Sequence, residues 1–367
     1  MGIKRGKTEL QSRRGRIVLA LGLIWIVAMI AAFFLTDGSV RKPAGKPSPA
    51  GWRIWMEVGS VKALAVLSDV VFCGGSDGLF RVVADGPAQT VAVPGASRNA
   101  AVYALLRDPD GALWVGHEDG LSILKDGRWT ALARGRDLPE GSVRALASTR
   151  DGHVWLATTR GAVRLPVGGP WDGSGLETLT EAQGLPADLL SAVLEDGEGG
   201  LWFGTHAAPA GGLSRLKDGR WTHWTLKDGL PHADIVCLLL DRRGRLWAGC
   251  GLYDRGGAAL FASDAGEWRL AGTIPLSELA GPKVRSLWED DRGRIWIGSE
   301  FDGVAVRSGE RMIRVLTIKD GLPAQEVMAI AGAPDGAVWL GTIDGLTRIG
   351  PEALASLFPE SAQGRTP

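Results

Sequence analysis

Seven positions set at one place in a recurring pattern, together with five histidines, are where this sequence could do chemistry. Tyr103, Arg144, Ser191, Val236, Arg285 and Met328 each stand eleven residues ahead of a tryptophan, and Lys62 holds the equivalent place ahead of Phe72. The residue following each is small: Ala63, Ala104, Ala145, Ala192, Cys237, Ser286 and Ala329. If these positions converge, a lysine and two arginines meet at one mouth. Such a cluster would attract an anion, for instance an acidic sugar or another carboxylate. The plainer alternative is that the cations pair with Asp and Glu of neighbouring loops.

The histidines divide into two groups. His153 and His223 fall in a turn and an outer strand, where solvation is the simplest reading. His117, His206 and His232 fall in loops that share a face with Glu118, Arg160, Tyr253, Asp254, Arg255, Glu300, Phe301 and Asp302. A metal or acid–base cluster could be assembled from these side chains, although ordinary polar loops explain them as well. The candidate ligand site is therefore Lys62, Tyr103, Arg144, Arg285, His117, Arg160, His206, Tyr253, Arg255 and Glu300. The sequence has no Walker loop, nucleophile elbow, H-E-x-x-H helix or zinc-type cysteine spacing, so no catalytic residue, metal or cofactor is expected. Cys237 and Cys250 flank one expected hairpin, where a disulfide is conceivable in an oxidising compartment. With Cys73, they read more simply as buried thiols.

The elements that must position these groups follow from the tryptophans. Trp114, Trp155, Trp202, Trp247, Trp296 and Trp339 recur at spacings of 41, 47, 45, 49 and 43 residues, and Phe72 stands 42 residues ahead of the first. Each sits in a turn–strand–turn sentence such as Asp110-Gly111-Ala112-Leu113-Trp114-Val115-Gly116. A period of about 40–50 residues, rich in Gly and β-branched residues, fits the four-stranded blade of a propeller. The tryptophan strand is apolar at consecutive positions, because a blade is packed on both faces by its neighbours. The expected fold class is all-β, a seven-bladed β-propeller with strands a to d running from the axis outward. Small residues in strand a belong where seven strands crowd an axis. The last blade lacks a strand d after residues 346–349, and an orphan strand lies at residues 52–58. That N-terminal strand is expected to complete the last blade and close the ring, removing an open edge.

Composition bounds the rest. The 367 residues carry 41 basic and 41 acidic side chains, so no net charge points to nucleic acid. Residues 17–35 are an unbroken apolar run of 19, long enough to span a bilayer core. Lys4, Arg5, Lys7, Arg13, Arg14 and Arg16 precede it, against Arg41, Lys42 and Lys46 after it, which predicts a cytoplasmic N-terminus. The expected organisation is a basic cytoplasmic segment (1–16), one transmembrane helix (17–35), a Pro-rich linker (36–51), the propeller (52–350) and a tail (351–367). A cleaved signal peptide is the alternative to the helix, and both place the propeller outside the cytoplasm, in the periplasm or beyond.

The pattern D-x-x-G-x-L-W-V-G-T, followed by G-G-L-x-R and joined by Asp-Gly-Leu-Pro at 228–231 and 320–323, resembles the two-component regulator propeller repeat. The resemblance covers residues 52–349 and is carried by turn glycines, blade-packing tryptophans and loop prolines. It implies an extracytoplasmic sensor propeller of the kind often joined to hybrid histidine kinases, some of which sense glycan fragments. The residues after 349 leave no room for such a kinase, so the expectation is a membrane-anchored sensor that hands its signal to a partner protein. A protein-interaction scaffold of the cell envelope is one alternative. A lyase-type propeller enzyme, using a His and a divalent metal, is the other.

Overall fold

The structure, a computed structural model, describes residues 48–67, 70–84, 86–98, 100–172 and 176–359. The expected transmembrane run at 17–35 lies outside them. Among the described residues no helix is long and apolar enough to cross a membrane. Within them, 28 strands form seven antiparallel four-stranded sheets; six are blades with their strands in chain order from the axis outward, and the seventh differs in its outermost strand.

Closure follows the sequence expectation. Strand Trp52–Trp55 pairs antiparallel with Gly345–Ile349, with Trp52 opposite Ile349 and Trp55 opposite Leu346. The seventh blade thus takes its outermost strand from the start of the domain. Trp55 then stacks on Trp339, ring centroids 5.2 Å apart, so the closing strand contributes an aromatic side chain to the blade it completes.

The blade tryptophans explain the repeat. Trp114, Trp202, Trp247 and Trp296 are buried, and each indole N–H donates to an aspartate six residues earlier: Asp108, Asp196, Asp241 and Asp290, at 2.8–2.9 Å. The same carboxylates accept main-chain N–H groups of the following turn, as Asp196 does from Glu198 and Gly200. One aspartate therefore fixes the a–b turn and the ring beneath it. The glycine two after the tryptophan has a packing reason: a Cβ at Gly116 would lie 2.7 Å from Val143 of the next blade. In the connectors, Thr225 donates its N–H to Asp228, and Gly229 takes a left-handed φ of 96°. Leu230 is buried beneath, which accounts for Asp-Gly-Leu-Pro.

Pro351–Leu357 is an α-helix whose Ala353 and Leu354 are buried, and Phe358 meets Trp296 edge-on at 5.6 Å. Cys73, Cys237 and Cys250 are free thiols. The disulfide considered between Cys237 and Cys250 is not formed; Cys237 stands opposite Gly249, and Cys250 opposite Ile235.

Candidate functional site

In six blades the start of strand a is irregular in one way. Val102 and Ala104 oppose His117 and Gly116, so Tyr103 is an extra residue between two paired ones. The same shift isolates Arg144, Ser191, Val236, Arg285 and Met328. A β-bulge of this kind re-aims the inserted side chain. Lys62 arrives differently, just ahead of its strand, with its N–H bonded to the carbonyl of Gly74 at 2.7 Å. All seven positions line one cavity of about 440 Å³, together with Leu189, Leu190 and His206.

The wall of this cavity is uneven. It holds three cations, Lys62, Arg144 and Arg285, and no carboxylate. Tyr103, from the second blade, sits between cations of the first and third: the Arg144 guanidinium lies 3.9 Å from its ring centroid and the Lys62 ammonium 5.1 Å. These are cation–π distances, and the contacts orient both cations without neutralising them. Arg285 is different, because its Nη2 meets Glu326 Oε1 at 2.8 Å behind the wall. The pairing alternative thus holds for Arg285, while among the described residues no carboxylate lies within salt-bridge distance of Lys62 or Arg144. Burial pushes the Lys62 ammonium below its ordinary pKa, Arg144 and Arg285 add to the effect, and Glu326 and Glu118 oppose it. Ser191 has its hydroxyl occupied by the main-chain carbonyls of Gly204 and Ile235. Val236, Met328, Leu189 and Leu190 supply the apolar remainder.

The remaining candidates separate. His206 joins the cavity with its ring half-exposed, and its Nδ1 is 3.8 Å from the buried Asp234. Burial holds its pKa down, Asp234 raises it, and the cations Lys283, Arg285 and Arg144 lower it. His117 is not a loop residue open to the mouth. It ends the strand Leu113–His117, is 1% exposed, and bonds Ser122 through Nε2 at 3.0 Å. Its place at the end of the consecutively buried run Leu113–Gly116 was the signal that sequence reading passed over. Arg160 and Tyr253 are solvent-exposed in b–c turns and Arg255 at the start of the strand Arg255–Asp264, all outside the cavity wall, and Glu300 is bound to Lys283. Among the described residues no group of three His, Cys, Asp or Glu side chains could hold a metal ion. Glu326 and the bulge escaped sequence reading. The recurring apolar–X–small triplet, as in Val143-Arg144-Ala145, carries the bulge and could have revealed it.

Comparison with known proteins adds to this geometry. Residues 97–119, 137–160 and 229–251 match the family described as "Two component regulator propeller". These are two-component regulator propeller repeats. No curated protein sequence matches the chain significantly. Among solved structures, the propeller resembles the extracellular domain of a hybrid two component system, BT3049, from B. thetaiotaomicron. That match has a TM-score of 0.70 at 17% identity and covers 84% of this chain and 42% of that one. The chain thus spans less than half of that domain. Virginiamycin B lyase from Staphylococcus aureus superposes with TM-score 0.62 at 14% identity, covering 81% and 97% of the two chains. YCF48 bound to D1 peptide does so with TM-score 0.61 at 12% identity, covering 83% and 99%. At such identities the solved structures establish a shared fold. The regulator-type reading rests on the three matched repeats and the Asp-Gly-Leu-Pro connectors.

Proposed function

We propose that this regulator propeller is the extracytoplasmic sensory module of a membrane-anchored protein, which takes a small anion at the mouth of its ring and reports it to a partner protein. The observation that carries the reading is the cavity wall: three cations and no carboxylate, with Lys62 and Arg144 held against Tyr103. Cations kept ready but unpaired in a partly desolvated recess favour an anion, since each charge-assisted bond formed there is worth about 1.5–3 kcal/mol. The extracellular domain of the hybrid two component system supports the extracytoplasmic placement. The apolar run at 17–35 and its basic N-terminal flank support a retained anchor.

The test removes the unpaired cations. In the K62Q/R144Q double variant, an anionic probe such as galacturonate or phenylacetate should bind at least about a hundredfold more weakly by isothermal titration, with the melting temperature little changed. Arg285 is left intact, because its loss would strand Glu326. A double variant that melts early while binding every anion as before would give the cations a structural role.

Partner docking has its own observation. Tyr253, Phe301 and Ile343 occupy b–c loops of three successive blades and are exposed, Tyr253 by 72%. These loops share the face that carries the cavity, and three exposed apolar side chains there favour protein contact. We place the partner on that face.

A further inference from the structure

The cavity wall has a second property, independent of its charge. Lys62, Tyr103 and Arg144 come from the first three blades, while Leu189, Leu190, Val236 and Met328, from the fourth, fifth and seventh, present only hydrocarbon and thioether, with the Glu326-paired Arg285 of the sixth blade between Val236 and Met328. Val236 and Met328 are bulge residues, so their side chains occupy the same kind of position as Arg144. The one hydroxyl proton of Ser191, between the two groups, is already directed at the main-chain carbonyls of Gly204 and Ile235. A sugar acid would bring several hydroxyl groups against this apolar wall and leave them without partners, which is costly once they leave water. A ligand with one charged end and an apolar body meets both halves at once. The volume, about 440 Å³, is that of a small-molecule site.

We propose that the cavity selects a small carboxylate with an apolar body, its carboxylate between Lys62 and Arg144 and its body against Leu189, Val236 and Met328. The inference rests on the anion reading above and narrows it. His206 borders the site as a neutral ring, because burial and the surrounding cations hold its pKa down. Its one N–H can donate to the carboxylate. Glu326 stays with Arg285, leaving Lys62 and Arg144 as the cations available to the ligand.

The experiment is isothermal titration of the full chain at pH 7 with phenylacetate, acetate, galacturonate and phenylacetamide. Phenylacetate should bind at least tenfold more tightly than acetate or galacturonate, and at least tenfold more tightly than its neutral amide. R144Q should weaken phenylacetate at least tenfold. V236S should weaken it at least threefold while leaving acetate unchanged. Galacturonate binding more tightly than phenylacetate, with dependence on Arg144, would overturn the apolar-body inference and leave the anion reading standing. Phenylacetate and acetate binding alike, or V236S without effect, would also overturn it alone. If no carboxylate binds in an Arg144-dependent way, or the amide binds as well as the acid, both readings fall.

Discussion

His117 shows what a single buried side chain can impose on this molecule. Ser122 donates its one hydroxyl proton to the carbonyl of Pro94, so His117 Nε2 must be the donor toward Ser122 Oγ. Nδ1 is then the unprotonated nitrogen, buried with no partner. Burial pushes its pKa down to about 4, with Asp119 opposing only in part. The folded value lies below the ordinary one near 6.5, so the unfolded chain binds the proton more readily. The neutral ring's contribution is therefore full above pH 6.5 and is lost as pH falls from 6.5 toward 4, by up to about 3 kcal/mol. Urea unfolding at pH 7 and pH 4.5 should show the loss in the wild type. His117→Phe should have a shallower pH dependence across that window, and equal slopes for both proteins would refute the assignment.

At the scale of the element, the a–b turn is held by one carboxylate with several duties. Asp196 is fully buried and accepts from Glu198, Gly200, Trp202 and Arg215. Burial alone would raise its pKa, but the donors outweigh burial and hold it below the ordinary carboxylate range. Asp196→Asn keeps the shape, removes the charge, and turns an amide NH₂ toward groups that are all donors. It should cost about 3–5 kcal/mol, the usual penalty for breaking a buried pair from one side. Chemical denaturation of the variant measures it, and a loss below about 1 kcal/mol would show that the turn does not depend on the charge. Nature offers an internal comparison: the equivalent residue of the seventh blade is Ala333, and the indole N–H of Trp339 is buried without an acceptor. That blade is held from outside, by Trp55 stacking and by Arg348, whose guanidinium lies over the Trp339 ring. The elements thus differ in how they are secured while sharing one backbone.

For the whole molecule, the ring closes through one strand. Trp52, Trp55 and Val58 are buried at the seam, and their removal would expose Leu346, Ile349 and the hydrogen-bonding edge of the last blade. Burial of large apolar side chains is worth about 1.5–3 kcal/mol each, so deletion of residues 52–58 should lower the melting temperature by at least about 10 °C. Calorimetry decides it, and a deletion variant melting with the wild type would mean the ring does not depend on this seam. The same closure gives the bulges their collective effect. Seven single side chains, 41–49 residues apart in sequence, become one wall only when the blades complete a circle.

The sequence by itself determined the architecture, because each blade repeats one local solution. Tryptophan, the glycine two residues on, and Asp-Gly-Leu-Pro are each required by contacts within a blade or with its neighbour, so their period is the fold's period. The orphan segment at 52–58, of which Trp52–Trp55 forms the strand and Met56–Val58 a 3-10 turn, and the missing outer strand of the last blade announced closure for the same reason. Position eleven before each tryptophan was legible as a ring of side chains. Why they point into the ring was not, because a bulge is a property of paired register and becomes visible only when both strands are in place. Charge balance lay further out of reach. Arg144 and Arg285 are equivalent in sequence, yet Arg285 is neutralised by Glu326, which precedes the next blade's inner strand, while Arg144 lies against Tyr103. His117 and His206 follow blade tryptophans at three and four residues, and that one-residue difference leaves the first buried within a strand and the second at the cavity. Pairing and burial depend on which groups the neighbouring blades bring within a few ångströms, and only the closed tertiary structure fixes that.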